Sequence, residues 1–177
     1  MKASILTEFG PPEVLRTCDV AAPAPKDRDI LIRVHAALVG FGDTLVRDFA
    51  AVTPAKFNMP GLFWLIGKMT FGFRKPRVSI LGSEFAGEVE AVGRRVTRFK
   101  KGDAVFGYRG PRMGAYAEYL CMPEDGVVSA KPANLTYEQA AASPYGAIMA
   151  LVLAAAKMVP KRAVVVPASK RRWQSAA

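Results

Sequence analysis

Side chains able to do chemistry are few in this chain, and their spacing narrows what that chemistry could be. His35 is the only histidine, and it alternates with apolar residues along Ile30 to Ala36, which reads as an outward position on a strand rather than a ligand. Cys18 and Cys121 are the only cysteines. Two thiols cannot build a disulfide framework, their spacing does not say whether they bridge, and a reducing compartment, here the cytoplasm, is the default expectation. Basic residues gather late, at Lys161, Arg162, Lys170, Arg171 and Arg172. Such a cluster could hold nucleic acid or an anionic surface by counterion release. Without an aromatic stacking platform or a recognition-helix pattern it specifies no nucleic acid sequence.

The elements that would position these groups follow from composition and punctuation. The chain has 177 residues, 51% hydrophobic and 23% charged, with ten Phe, five Tyr and two Trp. A chain of this length buries roughly 70% of its unfolded surface, so disorder and collagen-like classes fall away. The formal net charge is +10, but all fifteen acids lie at or before Glu138, while six of the 25 bases follow it. The charge therefore belongs mainly to the tail. Period-2 alternation predicts strands at Ala3 to Thr7, Ile30 to Ala36, around Val89 to Ala91, Ala104 to Gly107, Ala115 to Tyr119 and Val127 to Lys131. Thr136-Tyr137-Glu138-Gln139 is a capping box that should start a helix. Pro144 and Gly146 should interrupt it, a second helical stretch should run from Ala147 to Met158, and Ala163 to Val166 reads as a strand buried on both faces. No secretory signal opens the chain. The charge-free stretch Gln139 to Ala156 is mainly Ala and broken by Pro144 and Gly146, so no membrane span is expected. The aromatic run Phe57 to Phe73 should be buried or line a cleft.

Leu81 to Gly93 reads G-x-E-x-A-G-x-V-x-x-V-G from Gly82, and Gly102 to Gly107 reads G-D-x-V-x-G. Glycines at strand ends and tight turns suit a generic β-meander. As a pattern, together with Gly114-Ala115-Tyr116-Ala117-Glu118-Tyr119 and Lys131-Pro132-Ala133-Asn134-Leu135, the chain resembles the catalytic domain of the medium-chain dehydrogenase/reductase superfamily. The resemblance spans roughly residues 1 to 166. It implies a mainly β fold with added helices: a GroES-like, partly open β-barrel over 1–132, connecting helices over 133–159, and the first strand of an incomplete Rossmann domain with a basic tail over 160–177.

Zinc-dependent members hold their metal with three converging ligands. The places of the first two fall here near Gly40 and at Ser83, neither a good ligand, so the resemblance is to the zinc-independent, quinone-oxidoreductase-like (zeta-crystallin-like) branch. That branch implies NADPH or NADH as cofactor, no zinc, and hydride transfer to a quinone, enone or carbonyl in a cleft. The cleft residues it implies are Phe41, Asp43, Arg47, Phe63, Trp64 and Tyr145, the last also a weak cofactor contact. On their own, these residues read equally well as a helix amino-terminal carboxylate (Asp43), an exposed cation (Arg47) and packing aromatics. Gly40 and Leu45 stand where many relatives have Asn and Tyr, so no catalytic residue is assigned.

Relatives carry a glycine-rich turn after the first Rossmann strand, where backbone and helix amino terminus meet the pyrophosphate. Here Val164-Val165-Val166 runs into Pro167 to Ala177, and no glycine follows Gly146. Trp is encoded only by TGG and Gln begins CA, so reading one nucleotide later across Trp173-Gln174 gives GGC, a glycine codon. An out-of-frame tail from about Lys170 is the expectation. The chain alone should then be inactive, bind no dinucleotide and self-associate through uncovered apolar surface. The alternative is a non-catalytic barrel that binds a partner chain, or an anionic surface through its basic tail.

Overall fold

The computed structural model describes residues 1–155. The expected end of the late helix, the strand at 163–166 and the basic tail lie outside the described residues. The chain divides into two compact units, Met1–Tyr145 and Gly146–Ala177.

The first unit is built on two antiparallel sheets. Strand β1 (Lys2–Leu6) pairs with β2 (Leu15–Asp19). Strand β3 (Asp29–Leu38) is followed by helices α1 (Phe41–Arg47), α2 (Pro54–Phe57) and α3 (Gly61–Phe71). Then come β4 (Glu84–Val92), β5 (Ala104–Tyr108), β6 (Tyr119–Pro123) and β7 (Val128–Ala130). The second sheet runs β6-β3-β4-β5-β7, and among the described residues neither sheet closes into a complete barrel.

The alternation along β3 does what its pattern demands. Ile30 and Ile32 are fully buried while Arg33 and His35 face outward. His35 stacks on Tyr137 with ring centroids 4.4 Å apart. With Phe85, Val89, Val105, Leu120, Met122 and Val128, the two isoleucines form the main core. A second cluster, Leu6, Val46, Leu81 and Met113, packs α1 against the amino-terminal strand.

Two boundaries differ from expectation. The strand predicted at Ala115 to Tyr119 is instead β6, starting at Tyr119. Ahead of it, Ala117 forms an isolated bridge to Ala3 of β1, three residues after a positive-φ turn at Gly114 (φ +107°). Helix α4 (Tyr137–Ala141) starts at the capping box, with Gln139 N–H donating to Thr136 Oγ1 at 3.2 Å and Thr136 N–H to Gln139 Oε1 at 3.0 Å. The next helix, α5 (Pro144–Ala155), begins at Pro144 rather than after it. Proline lacks the N–H that a first helical residue would leave unpaired, so it starts a helix as readily as it breaks one.

Candidate functional site

The strand β3 ends at Leu38, and the backbone turns at Gly40 into α1. Asp43, on the first turn, accepts the Gly40 N–H at 2.9 Å through Oδ2 and is 2% exposed. Among the described residues its Oδ1 has no hydrogen-bond partner. The Tyr116 phenol also lies against this carboxylate, and a side-chain hydrogen bond to Asp43 is among the causes that raise its pKa.

Glu84 opens β4 opposite Tyr108 in the sheet register. It is also buried, and its Oε1 accepts the Tyr145 backbone N–H at 2.9 Å. A Cβ at Gly40 would sit 3.3 Å from Asp43 Oδ2 and 3.7 Å from Glu84 Oε2, so two carboxylates converge beside one glycine. Burial pushes the Glu84 carboxyl above its ordinary range; the Tyr145 N–H opposes this and Asp43 adds to it. The Tyr108 phenol is raised by burial and then by Tyr145, Glu84 and Asp43. Tyr116 is raised further, mainly by burial and next by Asp43, and its hydroxyl donates to the Leu38 carbonyl at 3.2 Å. Gly82, at φ +94°, sets the turn into Ser83 and Glu84. A Cβ there would lie 2.5 Å from the Tyr116 ring, so both conformation and contact require glycine.

These groups surround a cleft of about 380 Å³ walled by Leu38, Phe41 and Leu45, with Ser83, Glu84, Tyr108 and Tyr145 as its polar lining residues. The Tyr108 and Tyr145 rings lie 5.8 Å apart. Of the residues named from sequence, the structure brings Phe41 and Tyr145 into this wall, with Asp43 buried behind Gly40. Arg47 instead donates from Nε to the Gly10 carbonyl at 3.0 Å. Phe63 and Trp64 lie on α3, outside the residues lining the cleft; Trp64 donates to the Val52 carbonyl at 2.8 Å, and Phe63 is exposed. The expectation that the Phe57 to Phe73 run is buried or cleft-lining is corrected for Leu62, Phe63, Leu65, Ile66, Met69 and Phe73, which face out because α3 turns Trp64, Gly67 and Lys68 inward.

Sequence reasoning singled out neither Glu84 nor Tyr108 as site residues. The available signal was the placement of Glu84 one residue beyond Ser83 at the mouth of a strand, but alternation alone does not say which strand end borders a cleft. The Cys121 thiol is pushed up to about 11 by burial and then by Asp29, with Arg109 opposing, so it is protonated at neutral pH and a poor nucleophile. Zinc needs at least three protein donors. Asp43 and Glu84 are two, and no group of three or more His, Cys, Asp or Glu side chains suited to a metal occurs among the described residues.

Residues 26–132 match the family described as the alcohol dehydrogenase GroES-like domain. The quinone oxidoreductase of Homo sapiens is 38% identical over 144 residues, covering 80% of this chain and 37% of the human protein. The quinone oxidoreductase structure from Coxiella burnetii superposes with TM-score 0.70 at 33% identity, covering 89% of this chain and 45% of that one. The Escherichia coli quinone oxidoreductase complexed with NADPH superposes with TM-score 0.66 at 26% identity, covering 86% of this chain and 40% of that one. The chain thus spans less than half the length of these relatives. The matched domain and this run of relatives agree: the chain belongs to the medium-chain dehydrogenase/reductase superfamily, in its quinone-oxidoreductase-like family.

Proposed function

We propose that the cleft beside Gly40 is the substrate wall of an NAD(P)H-dependent oxidoreductase that reduces a quinone, enone or carbonyl without zinc. The observation that carries this reading is the convergence of a buried Glu84, its carboxyl pushed upward by burial, and two tyrosines on an apolar cleft in a chain of this family. Reduced nicotinamide would supply the hydride. Leu38, Phe41 and Leu45 would hold a flat apolar substrate and exclude water. A carboxyl with a raised pKa keeps its proton into a less acidic range than an ordinary glutamate, which suits Glu84 to hold a proton near an oxygen that gains negative charge. Gly40 and Ser83 stand at the places where zinc-dependent relatives place ligands, and the two remaining carboxylates do not complete a zinc donor set.

Because the chain spans less than half the length of these relatives, this reading assigns dinucleotide binding and turnover to the full-length form and expects weak or no NADPH binding by these 177 residues alone. Naphthoquinone titrated into the labelled chain should shift the NMR signals of Leu38, Leu45, Tyr108 and Tyr145, and Tyr108→Ala should weaken that binding. Shifts confined to other surfaces, or none, would overturn the substrate assignment. NADPH fluorescence should stay unchanged on adding the chain; micromolar binding would overturn the part concerning the chain alone.

A further inference from the structure

Helix α3 is built inside out. Its inward face carries Trp64, Gly67, Lys68 and Phe71 at helical spacing. Gly67 lets the helix approach closely, since a Cβ there would lie 2.6 Å from the Phe49 ring. The buried Lys68 ammonium donates to the Phe49 carbonyl at 3.3 Å and rests 5.2 Å from the Phe49 ring and 5.6 Å from Trp64. The outward face carries Leu62, Phe63, Leu65, Ile66 and Met69, continued by Phe73, with exposures from 43% to 68%. A helix that buries a lysine and exposes five large apolar side chains is opposite to the pattern of a surface helix on a soluble core. Apolar patches of this kind mark contact surfaces.

The surrounding charge identifies the contact. No Asp or Glu occurs between Asp48 and Glu84, whereas Lys56, Arg74, Lys75 and Arg77 lie in that stretch and are all exposed. Arg77 also donates to the Met69 carbonyl at 2.7 Å, which holds one cation against the end of the apolar face. Two copies meeting face to face would bring these cationic rims together, and nucleic acid offers no match for an apolar centre.

We propose that the α3 face docks on an anionic phospholipid surface, with Leu62, Phe63, Ile66, Met69 and Phe73 entering the headgroup and acyl boundary and Lys56, Arg74 and Lys75 meeting the phosphates. Exposed apolar side chains can enter the boundary between headgroups and acyl chains without an amphipathic stripe, and anionic lipid attracts nearby Lys and Arg within a Debye length. The sequence, with no spanning segment, leaves no membrane partner expected; the peripheral contact proposed here would depart from that expectation. Among the described residues no helix is long and apolar enough to cross a membrane, and this contact needs none.

The test is flotation of the chain with vesicles of mixed phosphatidylglycerol and phosphatidylcholine, against vesicles of phosphatidylcholine alone. Binding is expected on the anionic vesicles and weakly or not at all on the neutral ones. Leu62→Ser with Ile66→Ser, both at exposed positions, should lower binding on the order of tenfold or more, and so should Arg74→Glu with Lys75→Glu. Circular dichroism checks that each variant keeps its fold. Equal binding to both vesicle types would overturn the proposal, as would binding that survives the apolar substitutions, which would assign the attraction to the basic tail. Absence of vesicle binding together with self-association that the same substitutions abolish would also overturn it, by giving the face to a second copy.

Discussion

Asp43 and Glu84 are both buried beside Gly40, and the Asp43 charge adds to the upward shift of Glu84. The folded-state pKa of Glu84 is raised above its ordinary 4.5, so the folded chain binds more protons than the unfolded chain in that range. Its contribution to stability is therefore fully present below the unfolded value and is lost as pH rises through the folded one. Glu84→Gln should remove that slope while keeping an oxygen for the Tyr145 N–H. Thermal denaturation from about pH 4 to about pH 8 checks this, with the variant gaining stability relative to the parent as pH rises. Asp43→Asn should lower the Glu84 pKa by removing the neighbouring charge, read from the Glu84 carboxyl signal in an NMR titration. An unchanged titration would separate the two carboxyls. Asp43 was legible in the sequence as a helix amino-terminal carboxylate, and the Gly40 N–H bond bears that out. Its place against Glu84 and Tyr116 was not legible, since such contacts are set by everything packed around it.

At the scale of elements, local signals and long-range pairing divide the credit. The capping box before α4 is a four-residue interaction, and both of its hydrogen bonds form. Thr136→Ala should destabilise the first unit by about 1 kcal/mol, measured by urea unfolding, because the amino-terminal N–H groups lose their acceptor. The effect should reach the sheet, since Ala140 and Ala141 pack on Ala86 of β4. β3 and its inward isoleucines were legible from alternation alone. β2 was not, because Leu15 to Asp19 exposes all but its first residue and is held by its pairing with β1. α3 misled for a related reason: a helix anchored by a close glycine contact and a lysine resting on aromatic rings gives no amphipathic stripe.

For the molecule as a whole, the core is the part that packing makes cooperative. Phe85 is fully buried on β4 and touches the space beside Gly107, where a Cβ would lie 2.9 Å from its ring. Phe85→Ala should cost roughly 3–5 kcal/mol by removing the ring and leaving a cavity. Denaturant unfolding measures it, and a loss under about 1 kcal/mol would mean that the sheet collapses to fill the space. Because Phe85 follows Glu84 directly, the same substitution should also disturb the cleft, seen as shifted Tyr108 and Tyr145 signals.

The amino-acid pattern alone was sufficient for the β-rich class, the order of most strands, the helix start at Thr136 and the family, since each depends on spacing within a few residues or on a short motif such as Gly82 to Gly93. What waited on the folded chain was which of those residues meet. Gly40, Glu84, Tyr108 and Tyr145 are spread over more than a hundred residues and converge because β3, β4 and β5 pair in one register. The outward turn of Phe63 and its neighbours depends on where Phe49 and Val52 receive the other side of α3. Alternation and capping are local and can be read along the chain. Convergence and exposure arise from contacts between distant segments, and so belong to the three-dimensional structure.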